Sequence, residues 1–106
     1  MTTFDKREKA FESQLAYEEE VRFRAIARRN RLFGLWIAGK LGKSGADADA
    51  YAARVVQAEV DGGAEKAVEL VKADLAAKGV TLSDHQLKVK ADELLAEAVA
   101  EIRAGV

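Results

Sequence analysis

The stretch GLWIAGKLGKSG, residues 34–45, has two readings that lead to different folds. Its Gly42-Lys43-Ser44 matches the end of a phosphate-binding loop, which would lie between a strand and a helix in an α/β domain. Such a loop also requires a glycine five positions before Gly42, and that position is Ile37. Upstream, Ile26, Phe33, Ile37 and Leu41 recur at helical spacing, widened by Leu32, Leu35 and Trp36, so no strand leads into it. The stretch therefore reads as the end of a helix closed by Gly42. Ser44, with Asp47 three residues on, resembles the capping box of a following helix. The fold class is then all-α.

Composition agrees. The 106 residues contain no proline and are rich in alanine, which leaves long helices unbroken and intrinsically favoured. A chain of this length supports one domain with a modest core. The absence of cysteine excludes disulfide scaffolds, thiolate metal sites and cysteine nucleophiles, and His85 is the sole histidine. His85 falls in the first turn after a helix cap, where it reads as a solvated or capping group, so neither a metal site nor a catalytic residue is expected. The opening MTTFDKREKA carries charge where a secretory signal would be apolar, and no run of eighteen apolar residues occurs. A soluble cytoplasmic protein without direct membrane insertion is the expectation.

Periodicity predicts four helices. In TLSDHQLKVKADELLAEAVAEIRAGV, Ser83 and Gln86 form a capping box, Leu82 and Leu87 a hydrophobic staple, and Leu87, Ala91, Leu94, Ala98 and Ile102, with Leu95, an apolar stripe over about residues 84–104. Before it, Ala64, Ala67, Val68, Val71 and Leu75 share a face that ends at Gly79. The Asp61-Gly62-Gly63 cluster separates that helix from one whose apolar side is Ala48, Tyr51, Ala52, Val55 and Val56.

The first segment is too long for its surroundings. From Thr3 to about Leu41 nothing stops a helix, and Glu18 and Glu20 precede Arg22 and Arg24 by four residues, the favourable order for intrahelical pairs. Such a helix is roughly 55–60 Å long, whereas a compact chain of this size is about 35 Å across. Part of it must overhang or break. The first sixteen residues offer only Phe4, Phe11 and Leu15 as large apolar groups, a narrow seam suited to a groove on another protein. The expected organisation is a four-helix bundle over residues 19–106, preceded by a segment, residues 1–18, that is disordered or helical on its own.

Charge is uneven along the chain: residues 1–43 carry ten Lys/Arg against six Asp/Glu, and residues 44–106 seven against twelve. Arg24, Arg28 and Arg31 share a helical side that is either a weak ATP or ADP surface or a solvated face paired with Glu18–Glu20 and the acidic second half. The net charge of −1 is not the footprint of a nucleic-acid binder, so no nucleic-acid partner is expected. Asp92 with Glu93, and Glu97 with Glu101, read as solubilising carboxylates. Asn30 is either a buried hydrogen-bonding group or the edge of the apolar stripe, and Gly34 and Gly39 either admit a neighbouring helix or are tolerated. No cofactor is expected beyond that weak nucleotide alternative.

FDKREKAFES, then ARRNRLFGLWIAGKLG, DAYAARVV and ADLAAKGV, together resemble the zeta subunit family of α-proteobacterial F-type ATP synthases, which are ATPase inhibitors. The most specific part combines Arg28, Arg29 and Asn30 with Gly34, Leu35 and Trp36. The resemblance implies a non-enzymatic regulatory subunit that blocks ATP hydrolysis by inserting its N-terminal helix into a catalytic interface of the synthase, with the alpha, beta and gamma subunits as partners at the cytoplasmic face of the inner membrane. It carries the inhibitory core over as Phe4, Asp5, Lys6, Arg7, Glu8, Lys9, Ala10 and Phe11. Glu12 and Leu15 complete the partner-binding set.

Overall fold

Without proline to interrupt them, the helices run long. The computed structural model describes the backbone of residues 3–105 and the side chains of residues 5–105. It contains α1 (Thr3–Lys40), α2 (Gly45–Lys78) and α3 (Asp84–Arg103), with no strand among the described residues.

Three helices thus replace the four expected. The separator anticipated at Asp61-Gly62-Gly63 is an internal kink of α2, where Gly63 takes φ 83 and ψ −179, a conformation that only glycine adopts without strain. The Tyr51 hydroxyl donates to Asp74 Oδ2 at 2.9 Å. In a straight helix those residues would stand about 35 Å apart, so α2 folds back on itself at the kink.

The ends of α1 and α2 are closed by glycine. At α1, Gly42 has φ 79, its N–H donates to Gly39, and the N–H of Lys43 donates to Ala38. Gly79 closes α2 in the same way, with Val80 donating to Leu75. Both are the paired bonds of a Schellman motif. The Gly-Lys-Ser sequence is accordingly a helix end. The box anticipated at Ser44 and Asp47 does not form: the Ser44 side chain accepts no hydrogen bond, and Gly45 enters α2 at φ 55. The box at α3 does form, with Gln86 N–H donating to Ser83 Oγ at 3.0 Å and Ser83 N–H to Gln86 Oε1 at 2.8 Å.

Both α2 and α3 pack on α1. The main core joins Ile37 and Ala38 of α1, and Leu41 just after it, to Tyr51, Val55, Ala67, Val71 and Leu75 of α2 and Leu87 of α3. Val21 and Ala25 on α1, and Leu94 and Ala98 on α3, are buried further along. The seam of α1 is therefore made of smaller residues than its apolar periodicity suggests. Ile26, Leu32, Phe33, Leu35 and Trp36 are only half-buried flanks. Small side chains occupy the line of closest approach because helix backbones can meet only there. At Gly34 a Cβ would lie 2.7 Å from the Ala52 Cα, whereas at Gly39 it would meet nothing within 4 Å.

The molecule measures 65 × 25 × 23 Å, and its radius of gyration of 17.7 Å exceeds the roughly 13 Å of a compact chain this long. The excess lies in α1. Residues 6–17 are all exposed, and among the described side chains Val21 is the first buried one.

Gly34→Ala is expected to destabilise the fold by about 1–3 kcal/mol by forcing α1 from α2, despite alanine's better helix propensity. Gly39→Ala, where space is open, is expected to stabilise by up to about 1 kcal/mol; thermal unfolding of the two variants checks both signs. Burial, and then the bond and charge of Asp74, push the Tyr51 hydroxyl well above the usual tyrosine value of 10.0. Folded Tyr51 therefore keeps its proton where the unfolded chain loses it. Its contribution is complete below about pH 10 and falls as pH rises further. Tyr51→Phe should remove that alkaline loss, visible in unfolding measured as a function of pH, and cost about 1 kcal/mol at neutral pH through the lost bond.

Candidate functional site

The exposed part of α1 holds the residues expected to bind a partner. Lys6, Arg7, Glu8, Lys9, Phe11, Glu12 and Leu15 are exposed on the helix and Asp5 is half-exposed. Phe4 lies outside the described side chains. Phe11 is 67% and Leu15 50% exposed, and their four-residue spacing sets them on one side of the helix. None of the charged residues from Asp5 to Glu12 makes a salt bridge among the described residues. Their charges are therefore free to pair with a docked surface.

The inner limit of this segment is marked by a charge pair. Arg103, at the end of α3, donates to both carboxylate oxygens of Glu18, one at 3.1 Å. That bond and the Glu18 charge hold the guanidinium proton more tightly than usual. The contact also corrects the sequence reading of Glu18, which bridges to another helix instead of pairing with Arg22.

The arginines of α1 are engaged within the fold. Arg28 pairs with Glu101 of α3 at 3.1 Å and Arg31 with Asp49 of α2 at 3.3 Å, while Arg24 pairs weakly with Glu20 at 3.9 Å. Each of the three positions considered for nucleotide thus faces a carboxylate, as the paired reading of that face anticipated. Glu101 is a cross-helix partner rather than a solvated charge. Arg29 Nε donates to Asn30 Oδ1 at 2.9 Å, which makes Asn30 a half-buried edge residue. Leu35 is half-buried, and Trp36 lies against Phe33 at 6.0 Å, with the ammonium groups of Lys40 and Lys90 at 5.4 and 5.6 Å from its ring. Arg28, Gly34 and Trp36 therefore act in holding α1 to its neighbours, whereas the Asn30 bond stays within α1.

Two features escaped the sequence reading. A cleft of about 370 Å³ opens between α1, the folded-back part of α2 and the start of α3, floored by Phe33, Val55, Ala67 and Leu87 and edged by the Lys72–Asp84 pair at 2.7 Å. Its walls come from three helices, so no local motif signals it. Tyr17 and Phe23 on α1 are also exposed, at 49% and 75%. Phe23 faces out because Val21 and Ala25, two residues to either side, face in.

Among the described residues there is no cluster able to hold a metal ion and no helix long and apolar enough to cross a membrane. No curated protein matches the chain. The sequence model of one family, described as ATPase inhibitor subunit zeta, matches residues 1–101. With that match over nearly its whole length, and a first helix that carries the resembling motifs, the chain belongs to the ATPase inhibitor subunit zeta family.

Proposed function

We propose that this protein is a non-enzymatic regulatory subunit that inhibits ATP hydrolysis by an F-type ATP synthase, inserting the exposed start of α1 as a helix into a catalytic interface formed by the alpha and beta subunits next to gamma. The observation that carries the reading is the run of exposed residues 6–17 at the front of α1, with Phe11 and Leu15 on one side. Membership of an ATPase inhibitor family supplies the direction of the effect. The site of action would be the cytoplasmic face of the inner membrane.

The physical logic is that of an anchored wedge. Fully burying a Phe or Leu side chain stabilises a complex by about 1.5–3 kcal/mol. A helix continuous with the folded body loses less conformational freedom on docking than a free peptide would. Lys6, Arg7 and Lys9, with Asp5, Glu8 and Glu12, would form the polar rim. The body that α2 and α3 build on the rest of α1 would position the wedge.

The test is the ATP hydrolysis rate of the cognate catalytic sector titrated with the full chain, with Phe4→Ala/Phe11→Ala, and with a chain lacking residues 2–17. Inhibition by the full chain and at least about a hundredfold weaker inhibition by the two variants is expected, since two anchors are removed together. Undiminished inhibition by a folded Phe4→Ala/Phe11→Ala variant overturns the wedge.

A further inference from the structure

We infer that the docking surface of α1 does not end at Glu18 but continues onto the folded body through Phe23, which enters an apolar recess of the same ATPase on a second face of the helix. The inference rests on the wedge reading and extends it to a residue that neither the periodicity nor the resemblance singled out.

Three observations carry it. First, exposed large apolar groups are concentrated: Phe11, Leu15, Tyr17 and Phe23 lie within thirteen residues of α1, and among the described residues outside that stretch the exposed set is Val60, Val68 and Val89. The concentration crosses the Glu18–Arg103 pair without a break. Second, the orientation of Phe23 is fixed by packing. Val21 and Ala25 are buried at 4% and 0%, and each lies about 160° around the helix from Phe23 at 100° per residue. Turning the ring inward would bring both into water. Third, α1 is one helix from Thr3 to Lys40, so the relation of Phe23 to the wedge is set: about 12 Å beyond Leu15 and about 80° around the axis.

The surroundings of Phe23 suit a contact. Ala16 and Ala27, on nearly the same side, are exposed and small, leaving the ring as the projecting group. Glu19 and Arg22 form no salt bridge among the described residues and supply a charged border. An aromatic anchor inside a polar border is the usual make-up of an energetically dominant contact. A partner reaching both Leu15 and Phe23 must touch two faces of α1, which fits a recess that encloses the helix rather than a flat groove.

The experiment titrates ATP hydrolysis by the cognate catalytic sector with the full chain carrying Phe23→Ala or Phe23→Leu, beside wild type and Phe4→Ala/Phe11→Ala. Thermal unfolding confirms that each variant is folded. Phe23→Ala is expected to raise the inhibition midpoint about tenfold or more, and Phe23→Leu, which keeps the apolar bulk, by less than about threefold. An unchanged midpoint for folded Phe23→Ala, with the double variant inactive, overturns this inference and leaves the wedge standing. Full inhibition by the double variant overturns both.

Discussion

An unbroken helix of 38 residues sets the terms for the rest of this molecule. At 1.5 Å per residue α1 is about 57 Å long, while α3 offers about 30 Å of cover and α2 is halved by its reversal. As packed, those two leave the start of α1 bare. The part left bare is chosen by composition: the C-terminal half of α1 carries Gly34, Ile37 and Ala38 to the core, and the N-terminal part has Phe11 and Leu15 among charges. Protrusion is thus a consequence of chain length and patterning.

The body is held by a different balance. Close approach at Gly34 and Ala52 lets small residues make the seam, and Phe33 and Trp36 seal its flanks. Around that seam the basic first half meets the acidic second half in Arg28–Glu101 and Arg31–Asp49, and the two halves pair in the opposite sense in Arg103–Glu18. Partly exposed pairs of this kind contribute modestly to stability. Their larger effect is on register, because each fixes a level of α1 against a neighbour. The last also marks where α3 ceases to cover α1.

For a protein that acts on a partner, this division has a use. A rigid helix projecting from a folded body presents its apolar side chains at fixed heights and angles, so a complementary recess need not order it first. In the proposed wedge, the same body that stabilises the helix would set how far it could enter. Belonging to an ATPase inhibitor family fits a device whose exposed chemistry is apolar contact and charge pairing.

Much of this was legible in residue order. The absence of proline and cysteine, the Ser83–Gln86 box, the glycine stops at Gly42 and Gly79, the overlong first helix and the motif residues of α1 are local or compositional signals, because caps, stops and helix length depend on neighbours in sequence. Tertiary structure decided the rest. Whether Asp61-Gly62-Gly63 becomes a loop or a kink within α2, whether Glu18 turns to Arg22 or Arg103, whether Gly34 or Gly39 meets a helix, and which side of α1 shows Phe23 all depend on what the other helices bring near. Periodicity ranks residues by bulk, but the closest contacts between helices go to the smallest. Only the packed structure shows which small residues those are.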